Sequence, residues 1–546
     1  MVSDLKFGKF FCSSIMPRAK SAKTLLELSI AHVVQSMNKW EWKPIELSDT
    51  ISDSELVQSP LHQLPLHVLE KIVQHLQMNY LLSKHLKWVI TSQLSELILT
   101  SHDEKEIHVQ LKHASIQCPL LKKLKLKTWK KPDIETSIVQ FLPKFQQLEV
   151  LEIANTTVRD NSLEVFGTYF KHLRELDVSG CQGVTDNGIQ RLCGGAHHLE
   201  GESRRKEYIW DYGKCKLIQK LRVKGTSVTK KGIQIALQNL PSLKVLSHEL
   251  VVEVLSNIHQ SALKSNLPLI PKYSLIKIAV AGPHTQGSFG LALALCPSVI
   301  KVKIKGISSD FLNSDMLELL KLASLRHLQI KCPYRSYRSS VTFYDGVIPL
   351  LKAKGNLLES LKLEMFSDVD IHSIIEFCPN LNSLVIDDCK FCEIPVEEKD
   401  SFVRWKRIKI EPPILRKLEV LRLTFSSFQF NAEAILLQLL SSPSLRILEI
   451  TGCRELTDVI LETVVLRHHF QNLEQIALAY CDSLTKKGID FLMNDNNSIN
   501  RMDIKFEGDY SELLTDENFY EWEEKRIQKN WQLILNIMDD RDSVSV

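Results

Sequence analysis

A six-residue phrase with apolar residues at its first, fourth and sixth positions recurs along this chain and constrains its fold more than any other feature. It reads LEVLEI at Leu148, LRELDV at Leu173, IQKLRV at Ile218, VIKVKI at Val299, LRHLQI at Leu325 and LESLKL at Leu358. Further copies begin at Leu381, Leu418, Leu445 and Leu473, with weaker ones at Leu94, Leu121, Leu243, Leu275 and Ile499. About fifteen units at a spacing of roughly 23 to 28 residues result, so the 546 residues form a repeat array rather than three or four ordinary domains. The step from the fourth to the sixth position is the alternation of a short strand with one buried face. An apolar helical stretch follows each strand.

In the unit from Leu173, Cys181 follows the strand, Val184-Thr185-Asp186 turns the chain, and Gly188 to Leu192 starts an outer helix. The same logic returns around Cys453 and Cys481, where a small side chain suits a turn buried against neighbouring coils. Cys-Pro pairs at 118–119, 296–297 and 378–379 stand just before strands, where proline ends the preceding helix. This pattern resembles the cysteine-containing, ribonuclease-inhibitor-like class of leucine-rich repeats. The resemblance implies an α/β fold, a right-handed horseshoe solenoid from about residue 94 to 505, with a parallel sheet on the concave side and helices outside.

The domain plan follows. Residues 1–20 read as a flexible N-terminus, 21–90 as a helical module, 91–510 as the solenoid, and 511–546 as a capping helix and tail. Insertions fall near 194–216, with Tyr208, Trp210 and Tyr212, and near 393–414. The segment after Thr515 is expected to be helical, with Trp522, Ile527, Trp531 and Ile534 covering the last repeat.

Charge excludes some partners and leaves others. With 68 Lys+Arg against 65 Asp+Glu the formal charge is +3, which gives no global field toward nucleic acid or anionic lipid. KKLKLKTWKK places Lys123, Lys125 and Lys127 on one strand face, either as a dock for an acidic or phosphate-bearing partner or as a solvated strand edge. The middle position of other phrases holds Glu152, Asp177, Arg222, Lys303, Gln329, Lys362, Arg422, Glu449 and Asp503. Such alternating sign argues for a protein ligand rather than a nucleic-acid backbone. Lys123, Lys125, Lys127, Glu152, Asp177, Arg222, Lys303, Lys362 and Arg422 are therefore the candidate substrate surface.

Nothing in the sequence points to catalysis. Phosphate-binding glycine loops, HExxH and GxSxG contexts do not occur. The pairs His197-His198 and His468-His469 are adjacent and cannot share a helix face. Cys389 and Cys392 form the one CxxC, without the second pair a zinc site needs. Neither a cofactor nor a metal is expected. No run of 18 apolar residues suggests a membrane span, and no secretory h-region is evident, so reduced cysteines and a cytoplasmic or nuclear location are expected.

Ahead of the repeats, residues 24–40 (TLLELSIAHVVQSMNKW) carry apolar side chains at helical spacing. A polar linker follows, and then a second stripe of Leu64, Val68, Leu69, Ile72, Val73 and Leu76, with Pro65 suited to a first helical turn. Thr24, Leu25, Ser29 and Val33 resemble the elongin BC-box, with Ser29 where a cysteine is usual. Leu64, Pro65, Val68 and Ile72 resemble the cullin-2 box that follows it. A VHL-box ahead of leucine-rich repeats is similar to the Zyg and PRAME-related substrate receptors. The resemblance implies docking to elongin B/C and a cullin, with a protein substrate on the repeats. LPLHVLEKIVQHL also resembles the opening of an F-box, which would bind a Skp-type adaptor, although little room remains before Leu94 for three helices and TLLELSIAHVV would be unexplained. A third reading makes the two helices a cap on a repeat scaffold without a ligase link.

Overall fold

The computed structural model describes residues 25–37, 39–40, 60–78, 81–101, 103–128, 131–194, 215–265, 270–281, 285–305, 311–333, 341–367, 369–390, 415–425, 433–468, 470–481, 483–493, 498–507, 520–522, 524–525 and 532–538. Two compact units divide the repeats, Lys23–Leu350 and Leu351–Val546. The first holds β1 (Glu96–Thr100), β2 (Lys123–Lys127), β3 (Val150–Glu152), β4 (Glu175–Asp177), β5 (Lys220–Arg222), β6 (Val245–Ser247), β7 (Lys277–Val280), β8 (Lys301–Lys305) and β9 (His327–Lys331). The second holds β10 (Ser360–Glu364), β11 (Ser383–Asp387), β12 (Val420–Thr424), β13 (Ile447–Thr451), β14 (Gln475–Ala479), β15 (Arg501–Glu507) and β16 (Gln532–Met538). Within each unit every strand pairs in parallel with the next in sequence, as in β1 with β2 and β14 with β15. Each unit is thus an α/β leucine-rich-repeat solenoid.

Each of the fifteen phrases becomes one strand, and the reason is the division of labour among its positions. The first-position residues Leu94, Leu121, Leu148 and Leu173 are at most 1% exposed, as are Leu97, Leu124, Leu151 and Leu176 at the fourth. Burying each such side chain stabilises the fold by about 1.5–3 kcal/mol. The backbone repeats as strictly: the carbonyl of Ser95 accepts from the N–H groups of Lys122 and Lys123, Lys122 from Glu149 and Val150, and Glu149 from Arg174 and Glu175. Pairing is therefore set by the phrase and is indifferent to the length of chain between phrases.

The outer helices are joined by a second repeating device. Thr185 caps the helix Asp186–Leu192, accepting from the N–H of Asn187. Its own N–H and hydroxyl donate to the Asp160 carboxylate of the preceding helix at 2.8 and 2.7 Å. Asp186 receives Thr229 of the next helix in the same way, at 2.7 and 2.6 Å, and also the N–H of Gly232 at 3.0 Å. A Cβ at position 232 would collide with that carboxylate oxygen, so only glycine allows the approach. Asp458 and Thr485 repeat the contact. Each cap is worth about 1 kcal/mol.

The ten described cysteines are buried free thiols. Three of those after strands point back to the previous repeat: Cys181 donates to the Ile153 carbonyl at 3.4 Å, Cys389 to that of Leu363 at 3.6 Å and Cys481 to that of Ile450 at 3.8 Å. Burial pushes the Cys118, Cys193, Cys215, Cys296 and Cys378 thiols up to about 12. Cys392, the other half of the CxxC, lies outside the described residues.

Two differences from the sequence reading stand out. The expected C-terminal helix holds only in its first part: residues 520–522 and 524–525 are helical, whereas Gln532–Met538 form β16, in parallel register with β15, so that Ile534 faces Asp503 across the ladder. Its Leu-Ile-Leu run satisfies a helical stripe and a strand equally, and the lack of a leucine at the first position hid the repeat. Trp522 is fully buried as expected, and its Nε1 donates to Asp490 at 3.0 Å. Thr515, Ile527 and Trp531 lie outside the described residues, as do both insertions except for their edges. The second difference is a helix between the N-terminal module and the first strand, described next.

Candidate docking module and charged sheet face

Three helices precede β1: α1 (Leu25–Met37), α2 (Leu66–Met78) and α3 (Leu82–Val89). They stack in series, α1 on α2, α2 on α3, and α3 on β1. From α1 the buried side chains are Ile30, Val34 and Met37, spaced three and four residues apart on one face. From α2 they are Leu69, Ile72, Val73 and Leu76, and from α3 Leu82, Leu86 and Val89. Trp40, just past α1, meets Trp88 of α3 edge-on at 5.4 Å between ring centres. At the start of α2 the Pro65 carbonyl accepts from Val68 and Leu69 at 2.9 and 3.1 Å, so Pro65 opens the helix without having to donate. His85 is buried, and that burial, with Lys84 and Lys87 nearby, lowers its pKa.

This order assigns the capping of the first repeat to α3, which the sequence reading did not anticipate. LLSKHLKWV is short, and three of its residues are basic or titratable, which masked its apolar stripe. The opposite face of α1 is turned to solvent: Leu28 is 52% exposed, and Ser29 and His32 are exposed beside it. Val33 is half-buried, Leu25 is the first helical residue with its side chain outside the described set, and Thr24 lies outside it altogether. In the second motif Pro65 is exposed, Leu64 and Val68 are half-buried, and Ile72 is 1% exposed within the module's own core.

The middle positions of the phrases line up as the repeat predicts. In register stand Lys125, Glu152, Asp177 and Arg222 on β2 to β5, Ala279, Lys303 and Gln329 on β7 to β9, and Lys362, Val385, Arg422 and Glu449 on β10 to β13. Many of the candidate substrate residues are occupied with one another. Lys123 pairs with Glu96 at 3.7 Å, Lys125 with Glu152 at 3.6 Å, and Arg222 with Asp177 at 3.5 Å and Glu152 at 3.9 Å. Two residues back along the strands, Lys220 meets Glu175 at 2.5 Å. In the second unit Arg422 pairs with Glu449 at 2.9 Å and Lys362 with Glu364 at 3.3 Å. Each partly exposed pair contributes about 0–1 kcal/mol.

Elsewhere on the first unit's sheet face the charges do not alternate. Lys277, Lys301, Lys305 and Lys331 join Lys303 on β7 to β9, at phrase positions outside the middle row of candidate residues. The third and seventh positions of each phrase share that face and would have shown them. Burial, then Lys301, Arg222 and Lys305, lower the Lys277 pKa. Among the described residues no group of His, Cys, Asp and Glu is arranged to hold a metal ion, and no helix is long and apolar enough to cross a membrane.

Comparison with known proteins accords with this geometry in one short stretch. The family described as leucine-rich repeat matches residues 171–193, which contain β4 and the Thr185-capped helix. No curated protein matches the chain. Among solved structures the chain is similar to one in the Rad7 and Elc1 complex of yeast, at 14% identity and a TM-score of 0.37, covering 95% of this chain and 94% of that one. It is similar to an internalin (inlF) of Listeria monocytogenes at 13% identity and a TM-score of 0.31, covering 82% and 98%. It is also similar to TLR13 in its complex with ssRNA13, at 12% and 0.33, covering 76% and 51%.

Proposed function

We propose that this protein is a non-catalytic substrate receptor of a cullin-RING ubiquitin ligase, working in the cytoplasm or nucleus. In this reading α1 docks elongin B/C through Thr24, Leu25, Ser29 and Val33, the start of α2 meets a cullin through Leu64, Pro65 and Val68, and the repeats hold a protein substrate. The observation that carries it is the serial stacking of the module: α3 covers the first repeat, so α1 is not needed as a cap and turns Leu28, Ser29 and His32 outward. A helix that lays such a face into a partner's groove is a common mode of peptide recognition. Ile72 belongs to the module's fold rather than to the cullin contact, because it is already buried.

The F-box reading is disfavoured by the same helices, since among the described residues only α2 and α3 lie between Leu64 and β1. Co-precipitation with purified adaptors tests the choice. Leu25→Ser removes an aliphatic anchor worth ~2–3 kcal/mol, a loss of roughly 30- to 150-fold in elongin C affinity, with the melting temperature retained. Pro65 and Val68 substitutions keep elongin and lose the cullin. Wild-type elongin C binding by folded Leu25→Ser sinks the elongin assignment, while capture of a Skp-type adaptor that is lost with Pro65 and Val68 establishes the F-box.

A further inference from the structure

The strands β7, β8 and β9 read KIAV, KVKIK and HLQIK, with five lysines, a histidine and no carboxylate. Register brings like charges together: Lys277 stands opposite Lys301, which stands opposite His327, and Lys305 stands opposite Lys331. Burial alternates along all three strands, so the lysines share the outward face, half-exposed or, at Lys305, exposed, while Ile278, Val302, Ile304, Leu328 and Ile330 fill the core. Among the described residues no carboxylate pairs with Lys277, Lys301 or Lys305. Like charges directly opposite on a sheet oppose folding, and the neighbouring strands show that this sheet readily places an acid across from a base. On the β4 to β6 side the nearest described carboxylate in the row of Lys277 and Lys301 is Glu175, which is engaged by Lys220, and Glu249, just past β6, is engaged by Lys224.

We propose that the face of β7 to β9 is a docking surface for a short acidic segment of a protein, rich in Asp or Glu and bound in extended form. The proposal rests on the reading of the sheet as the substrate-binding side. Its dimensions suit such a ligand: Lys301, Lys303 and Lys305 recur about 7 Å apart along β8, the interval between alternate residues of an extended peptide, and the outer strands are about 10 Å apart. A nucleic acid fits less well, because beyond β6 its phosphates would meet Lys220 and Arg222 already paired with Glu175 and Asp177, then those acids and Glu152, and the chain's net charge is only +3.

Fluorescence anisotropy on the full chain, with no elongin present, tests the proposal separately from the ligase reading. The probe is a fluorescein-labelled peptide of alternating glutamate and serine, about twelve residues long. Wild-type protein binds it, and Lys301→Glu with Lys305→Glu weakens binding roughly 30-fold. Lys264→Glu, on the outer helix Val251–Lys264, leaves binding unchanged. If the double reversal does not melt cooperatively, Lys301→Gln with Lys305→Gln replaces it, with a loss of about 10-fold. Equal binding by wild-type and a folded double variant overturns the proposal, as does an equal loss from Lys264→Glu. Tighter binding of single-stranded DNA of the same formal charge also overturns it and assigns the face to nucleic acid. A negative result leaves elongin docking standing, and loss of elongin docking leaves this measurement unaffected.

Discussion

Strands β2 to β5 and β7 to β9 of the first unit share one architecture and treat charge in opposite ways. On both, the fourth-position side chain is buried and the middle one faces outward at half exposure. On β2 to β5 Glu152 stands opposite Asp177, and the bases on either side neutralise them: Lys125 pairs with Glu152, and Arg222 with both Asp177 and Glu152. On β7 to β9 lysine faces lysine. The cores beneath are equivalent, so folding does not require the second arrangement. A surface that satisfies its charges internally has little left to offer a partner, whereas Lys277, Lys301 and Lys305, with which no described carboxylate pairs, gain from an oppositely charged ligand.

Substitutions of different size break or sharpen this contrast. The largest effect should be the same in both regions: Leu176→Ala on β4 and Leu328→Ala on β9 each remove a side chain at most 1% exposed and should cost about 2–5 kcal/mol in urea unfolding. A much smaller cost at Leu328 would mean that the lysine region is loosely packed and that the contrast is not one of charge. Next in size, Arg222→Glu sets a third carboxylate in the row next to Asp177 and Glu152 and should destabilise by about 1–2 kcal/mol. By contrast, Lys301→Glu places an acid between Lys277 and His327 and should stabilise by about 0.5–1 kcal/mol. Opposite signs for charge reversal on the two halves of one sheet would be the sharpest confirmation, and equal signs would erase the distinction.

The smallest effects concern pH. Because its pKa is lowered in the folded chain, Lys277 binds fewer protons there than when unfolded, just below the ordinary 10.5. The penalty of its burial, with the like charges of Lys301, Arg222 and Lys305 added, is present at neutral pH and is relieved as pH rises through that window. Lys301→Glu should flatten this gain, which is read as the difference between variant and wild-type melting temperatures across the window. The buried thiols act in the other direction. With Cys118 and Cys296 pushed up to about 12 from 9.0, the stability they lend is complete below 9.0 and declines as pH rises toward about 12. Both proteins share this term, so it cancels from the difference.

Much of the fold was legible because its period is local. Leu94 and Leu97, or Leu445 and Leu448, are read off a six-residue window, and each such window became a strand. The Thr-Asp pairs were visible as turns, but not as the clasp in which Asp160 receives Thr185, since that contact needs the next repeat in place. Two elements escaped for opposite reasons. For α3, a basic helix too short to declare a stripe, packing on β1 rather than propensity decides its place. In β16, Leu533, Ile534 and Leu535 fit either period, and the waiting edge of β15 selects the strand. Of the proposed docking motif, the residue spacing was legible and the solvent exposure of Leu28, Ser29 and His32 on α1 was not.

What the sequence alone determined is therefore the repeating unit, meaning which residues are buried, which alternate outward and where each strand begins, because these depend on side-chain hydrophobicity at fixed short intervals. Only the tertiary structure decided which charges meet. Asp177 and Arg222 are 45 residues apart, with an insertion between them, yet pair across adjacent strands, while Lys277 and Lys301 meet without a carboxylate between them. Parallel register is set by the leucines, and the outward side chains take whatever neighbours that register assigns, so whether a row of charges neutralises itself or faces outward cannot be read until the coils are stacked.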